Sequence, residues 1–135
     1  MVKLIIGVKG TGKTKTLIEM VNEAQKNTNG CVVCIEKGNK LRYDVNSQIR
    51  LIDTVEYLVT DAQSLYGFVA GILASNYDVT DIFGDSCLKI CNEDVVAFEK
   101  FLLAVEALAH KSEVNVVMTS SLPAENVTDV MKKFI

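Results

Sequence analysis

The chain has 135 residues, 49% of them hydrophobic and 23% charged, with 14 Lys and Arg against 17 Asp and Glu for a formal net charge of -3. That length supplies one domain with one substantial core, and the composition excludes the disordered, collagen-like and low-complexity classes. The acidic balance speaks against a general nucleic-acid binder, which needs a basic surface for the phosphate backbone, and no apolar run reaches the length of a membrane span.

One domain over residues 1–135 is therefore expected, with room for a local anion site. The opening MVKLII is too short for a signal-peptide core, so a cytoplasmic location is the expectation. The four cysteines, Cys31, Cys34, Cys87 and Cys91, are too sparse for a disulfide scaffold. Cys31 and Cys34 have CxxC spacing but sit in an apolar run, and Cys87 and Cys91 have no second pair to complete a zinc site. Cys31 and Cys34 read as small buried hydrophobes, and no metal is expected at Cys87 and Cys91.

In chain order, VKLII (2–6) reads as a strand closed by glycine. From Lys13 to about Lys26, Leu17, Ile18, Val21 and Ala24 recur at helical spacing, and Asn27, Asn29 and Gly30 end the helix. CVVCI (31–35) reads as a strand covered on both faces. Residues 36–48 read as a polar loop with an extended piece around Leu41 to Tyr43, and Arg50 to Ile52 as a short edge strand. Asp61 is placed to cap a helix running to Ala74, and Tyr77 to Phe83 follows as a strand. A helix from about Glu93 to His110 has Asn92 as its expected N-cap. Asn115 to Thr119 reads as the last strand, and Pro123 as the start of a closing helix. This alternation predicts an α/β fold, a three-layer sandwich with a mainly parallel sheet.

The chemistry concentrates in Gly7-Val8-Lys9-Gly10-Thr11-Gly12-Lys13-Thr14, which fits G-x-x-x-x-G-K-[ST]. Chance places this pattern somewhere in such a chain about 0.5% of the time, and here it stands between an apolar strand and an amphipathic helix, as the chemistry requires. Glycines let backbone amides approach a phosphate closely, and successive amides with the helix start form an anion nest. Lys13 would reach the β- and γ-phosphates, and the Thr14 hydroxyl would be a ligand of Mg²⁺. Lys15 and Thr16 extend the candidate binding segment; Thr16 has two readings, an α-phosphate contact or a helper of the first helical turn.

These residues resemble the P-loop NTPases, and most closely the form G-x-x-G-[ST]-G-K-[ST] of AAA-type, RecA-like and related ATPases, because Gly10, Thr11 and Gly12 also match. The resemblance is specific over residues 2–16 and topological elsewhere. It implies the compact P-loop nucleoside triphosphate hydrolase fold, with ATP and Mg²⁺ as ligands. The chain is also similar to small bacterial P-loop proteins of the twitching-motility, or PilT-like, kind. That name would imply a pilus-retraction motor, whereas no amino-terminal sensory domain or His-rich hexamer-forming section is found here.

Such an enzyme needs an acid at the end of an apolar strand to hold Mg²⁺. Asp85 is the first candidate, being at the carboxyl end where ligands sit in open α/β sheets. Asp81 is the rival, nearer mid-strand, where an unpaired carboxylate is costly. Hydrolytic relatives often place Glu next to that Asp; here Ser86 follows, which points away from fast hydrolysis. Glu36 reads as a solvated turn residue, with a distant second acid as the other reading. Thr119 or Ser120 either senses the γ-phosphate or satisfies backbone groups. Lys37, Lys40, Arg42 and Arg50 read as a solvated basic loop, and the chain's only arginines, Arg42 and Arg50, are the only sources of an arginine finger in cis. His110 reads as a helix-end surface residue.

Three functions fit these residues: a small ATPase or nucleotide-dependent switch, a nucleoside or nucleotide kinase, and a non-catalytic interaction module ordered by nucleotide. The kinase is disfavoured by the missing arginine-rich lid. Adenine is expected over guanine because Asn39-Lys40 is followed by Leu41-Arg42 and not by the x-D of N-K-x-D. A protein client or self-association is the expected partner.

Overall fold

Five strands, β1 (Val2–Gly7), β2 (Cys31–Glu36), β3 (Arg50–Asp53), β4 (Val79–Gly84) and β5 (Asn115–Ser121), form one sheet in the order β1-β5-β4-β2-β3. The computed structural model describes all 135 residues, Met1–Ile135. Every strand pair is parallel, so Gly7, Glu36, Asp53, Gly84 and Ser121 all end at one edge of the sheet. The helices are α1 (Lys13–Asn27), α2 (Ala62–Ser75), α3 (Cys87–Ile90), α4 (Val95–Ser112) and α5 (Asp129–Lys132). No helix is long and apolar enough to cross a membrane.

The sheet is covered on both sides because its strands are apolar at consecutive positions. On β2, Val32 and Cys34 face α1 with Leu17 and Val21, while Val33 and Ile35 face the opposite layer. That opposite layer is built by α2 and α4, which present Leu65 and Val69, and Phe98, Phe101, Leu102, Val105 and Ala109. These spacings of three and four keep one stripe of each helix toward the sheet. Burying each large apolar side chain contributes about 1.5–3 kcal/mol, so the two cores hold the layers together.

Asp61 caps α2 as expected, in a capping box with Ser64. Four expectations are corrected. The cap of α4 is Asp94, whose side chain accepts from Ala97 N, whereas Asn92 lies in a left-handed turn with φ of 61°. Pro123 opens only a short 3-10 turn, Ala124–Asn126, which ends where Val127 returns to extended backbone; α5 begins later, capped by Thr128. The fourth strand starts at Val79, not Tyr77, since its first pair is Val79 with Cys31, joined by the bond from Cys31 N to the Asp78 carbonyl, and Tyr77 before it is fully exposed. Leu41 to Tyr43 is turned, not extended: Asp44 and Val45 amides both bond back to the Leu41 carbonyl. Leu41, Val45 and Ile49 are buried against α1, so this connection is a packed part of that layer. Arg50–Asp53 is an edge strand, as read from its brevity.

Candidate functional site

Between β1 and α1 the chain makes a tight loop with Gly10 at φ 86° and Gly12 at φ 84°. This left-handed conformation costs residues with a Cβ about 1–2 kcal/mol, so glycine is the residue that fits both places. The Val8 carbonyl points inward and accepts from the Thr11 hydroxyl at 2.7 Å and from Lys13 Nζ at 2.8 Å. The start of α1 has no side-chain cap and no acid in its first turn. From Gly10 through Lys15, no backbone amide donates to a group of the protein. A run of such free donors at a helix start is an anion site in waiting. The Thr16 hydroxyl bonds back to the Gly12 carbonyl at 3.1 Å, which places it with the first helical turn.

The sheet order puts β5 between the strand that leads into this loop and the strand that leads to Asp85. At about 4.8 Å per strand the two ends stand roughly 10 Å apart, and α1 spans the gap by lying across β1, β5, β4 and β2. Its first turn carries Thr14, whose hydroxyl donates to Asp85 Oδ1 at 3.2 Å. From β5, the Thr119 hydroxyl donates to the same oxygen at 2.8 Å and accepts from Ser86 N at 2.9 Å. Ser120 accepts from Leu88 N at 3.3 Å. Thr119 and Ser120, both buried, therefore satisfy backbone groups, and Thr119 also braces the carboxylate. Asp81 lies near the opposite end of β4, where it accepts from Thr80 and Asn115; it is not brought to the loop.

Gly10, Gly12, Thr14 and Asp85 face a cavity of about 430 Å³ whose wall also carries Lys9, Lys13, Lys15, Lys40 and Lys89. The acids on that wall are Asp85 and Glu93, so a local cationic site exists within an acidic protein. A larger open groove of about 780 Å³ lies at the amino end of the strands and is lined by Glu19, Glu23 and Asp81. Three carboxylates make it hostile to anions, and the smaller cavity is the one with the chemistry.

Glu36 is only 2% exposed, which overturns its reading as a solvated turn residue. Its carboxylate accepts from the Lys40 and Leu41 amides at 3.0 and 3.1 Å, so it ties the connection after β2 to the sheet edge. Burial pushes its pKa up; the two amides pull it back, and the charges of Asp85 and Asp53 push it further. Beside it, Gly38 N donates to Asp53 Oδ1 at 2.8 Å. The arginines stand away from the cavity. Arg42 lies over the Tyr43 ring, 4.8 Å from its centroid, and donates to the Tyr43 hydroxyl. Arg50 is exposed at the amino end of β3. His110 is exposed in the last turn of α4.

All four cysteines are free thiols, with Cys34, Cys87 and Cys91 buried. Burial, with lesser pushes from Glu36 and Asp85, drives Cys34 up to about 12, so it is protonated and inert at neutral pH. Lys89, Glu93 and Ser121 reach the cavity from segments that carry no motif. Lys40 belonged to a legible basic cluster, but nothing in the sequence separates it from Lys37 or Arg42.

A hard divalent cation takes oxygen ligands and keeps several waters, completing its shell with substrate phosphate. Thr14 Oγ1 and Asp85 Oδ1, already 3.2 Å apart, are a donor set of that kind, next to the free amides of the loop. The sequence matches no protein-family model and no curated protein.

Proposed function

We propose that this protein binds a magnesium–nucleoside triphosphate, with ATP the expected nucleotide, and acts as a P-loop ATPase of low intrinsic turnover or as a nucleotide-dependent switch. The observation that carries the reading is the meeting of Thr14 and Asp85 at the mouth of a glycine loop whose amides have no protein acceptor. Those amides would hold phosphate oxygens, and Lys13 would exchange the Val8 carbonyl for the anion. Thr14 and Asp85 would hold Mg²⁺, which would supply neutralisation of the phosphate charge.

The low turnover rests on the lack of an acid beside Asp85. Ser86 occupies the position after Asp85 where hydrolytic P-loop enzymes often carry Glu. Glu36 is committed to two amides, and Glu93 is the one other acid on the cavity wall. A kinase is less well supported, because neither arginine faces the cavity. A client protein, or a second copy of the chain, would then read the bound state.

Calorimetric titration with Mg²⁺–ATP and with Mg²⁺–GTP tests the reading, using wild type and Lys13→Ala. Wild type should bind ATP, and the variant should keep its circular dichroism while losing about tenfold or more in affinity, as expected for a lost charge-assisted contact. Equal affinity in the two proteins would overturn it.

A further inference from the structure

We propose that Lys40, held in place by the buried carboxylate of Glu36, is a second phosphate-binding cation of this site, directed at the terminal phosphate of a bound triphosphate. The proposal deepens the nucleotide reading above and rests on it. It starts from a shortage: a polyanion with a cluster of charge at its far end needs a cation besides the loop lysine, and neither Arg42 nor Arg50 reaches the cavity.

Lys40 does reach it, from the connection after β2, and so faces the loop from a separate segment of the chain. Its backbone is fixed on three sides. The Glu36 carboxylate, 2% exposed, accepts from the Lys40 amide at 3.0 Å and from Leu41 at 3.1 Å. Gly38, at φ 104°, is anchored by Asp53. Leu41, also 2% exposed, is packed with Leu17 and Val21 of α1, the helix whose first turn makes the loop. A long flexible side chain rising from a rigid base loses less entropy on binding than one on a mobile loop.

The ammonium group is also unengaged. Lys40 forms no ion pair, since the protein's single salt bridge joins Lys132 to Asp129. Lys9 and Lys15 belong to the loop segment itself and flank whatever Lys13 holds. Lys89 also lines the cavity, with Glu93 on the same wall four residues further along the chain. Glu36 is a nearly buried carboxylate whose two amide bonds fix the backbone from which the Lys40 side chain rises.

The test measures binding of Mg²⁺–ATP and of ADP by calorimetry for wild type, Lys40→Met and, as a control outside the cavity, Lys37→Met. Both lysines are exposed, so both variants should fold, with circular dichroism as the check. Lys40→Met should weaken ATP about tenfold and ADP less than about threefold, whereas Lys37→Met should shift both by less than about threefold. Lys40→Arg should restore most of the ATP affinity. Equal losses for ATP and ADP, or no loss, would overturn the proposal. If wild type itself fails to bind ATP, the nucleotide reading has failed; if it binds and Lys40→Met is silent, this inference alone has.

Discussion

Thr14 and Asp85 are 71 positions apart in the chain and share a hydrogen bond of 3.2 Å. The contact exists because a parallel sheet gathers the carboxyl ends of its strands at one edge and because α1, which lies across β1, β5, β4 and β2, starts at that edge. Thr119 fixes the rotamer of the pair by donating to the same Asp85 oxygen. A hydroxyl and a carboxylate held this way are pre-positioned oxygen donors, and pre-positioning lowers the entropic cost of binding a cation between them.

Asp85→Asn should therefore remove the magnesium dependence of ATP affinity, while Asp81→Asn should leave it unchanged. Asparagine keeps the shape and an acceptor oxygen but loses the charge, so the Mg²⁺-dependent gain should shrink about tenfold or more. Titrating each variant with ATP in the presence of Mg²⁺ and of EDTA measures this directly. Loss in Asp81→Asn alone would reverse the assignment, which the place of Asp81 in the amino half of β4, facing the other groove, speaks against.

The parts of this molecule legible in the sequence are those encoded by neighbours. The glycine loop, the α1 stripe of Leu17 and Val21, and the Asp61 cap are all local patterns, and each stands where its pattern put it. Asp85 was legible because strand ends are chemically special in a parallel sheet. Glu36 was misread because a carboxylate after an apolar run looks solvated; only the return of residues 37–41 over it, with two amides aimed inward, makes it buried. Lys89 and Ser121 were illegible for a similar reason, since their places depend on the packing of α3 and β5. Pro123 misled in the opposite direction: a residue suited to a helix start was followed by only one 3-10 turn.

The buried Glu36 should also leave a signature in the pH dependence of folding. Its pKa is raised in the native state above the ordinary 4.5, chiefly by burial, so the folded protein holds this proton to higher pH than the unfolded chain. Between the two values the native state binds more protons, and stability from this group falls as pH rises. The contribution is complete below the unfolded value and gone above the folded one. Urea unfolding of wild type and Glu36→Gln from acid to neutral pH isolates it, because the variant cannot titrate there. The stability of wild type relative to the variant should decline upward from about pH 4.5 and then level off. A relative gain over the same range would mean that the amide bonds outweigh burial.

Gly84 should resist substitution for a reason of space. It ends β4, immediately before Asp85, and its backbone is not in the left-handed region. A Cβ there would stand 2.5 Å from Cys87 Sγ and 3.5 Å from Met118 Cγ, and both of those residues are buried. The absent side chain lets α3 tuck against the sheet edge, which brings Ser86 N onto Thr119 and Lys89 to the cavity wall. Gly84→Ala should cost about 1–3 kcal/mol, as overpacking of a filled core does. Cys87→Ala removes the sulfur that the new methyl meets, so the double variant should be more stable than the sum of the single losses by about 0.5 kcal/mol or more. Urea denaturation of the two single variants and the double variant gives that coupling. Strict additivity would show that the Cys87 thiol is not what holds this position to glycine, and would shift the constraint to the Met118 side of the strand.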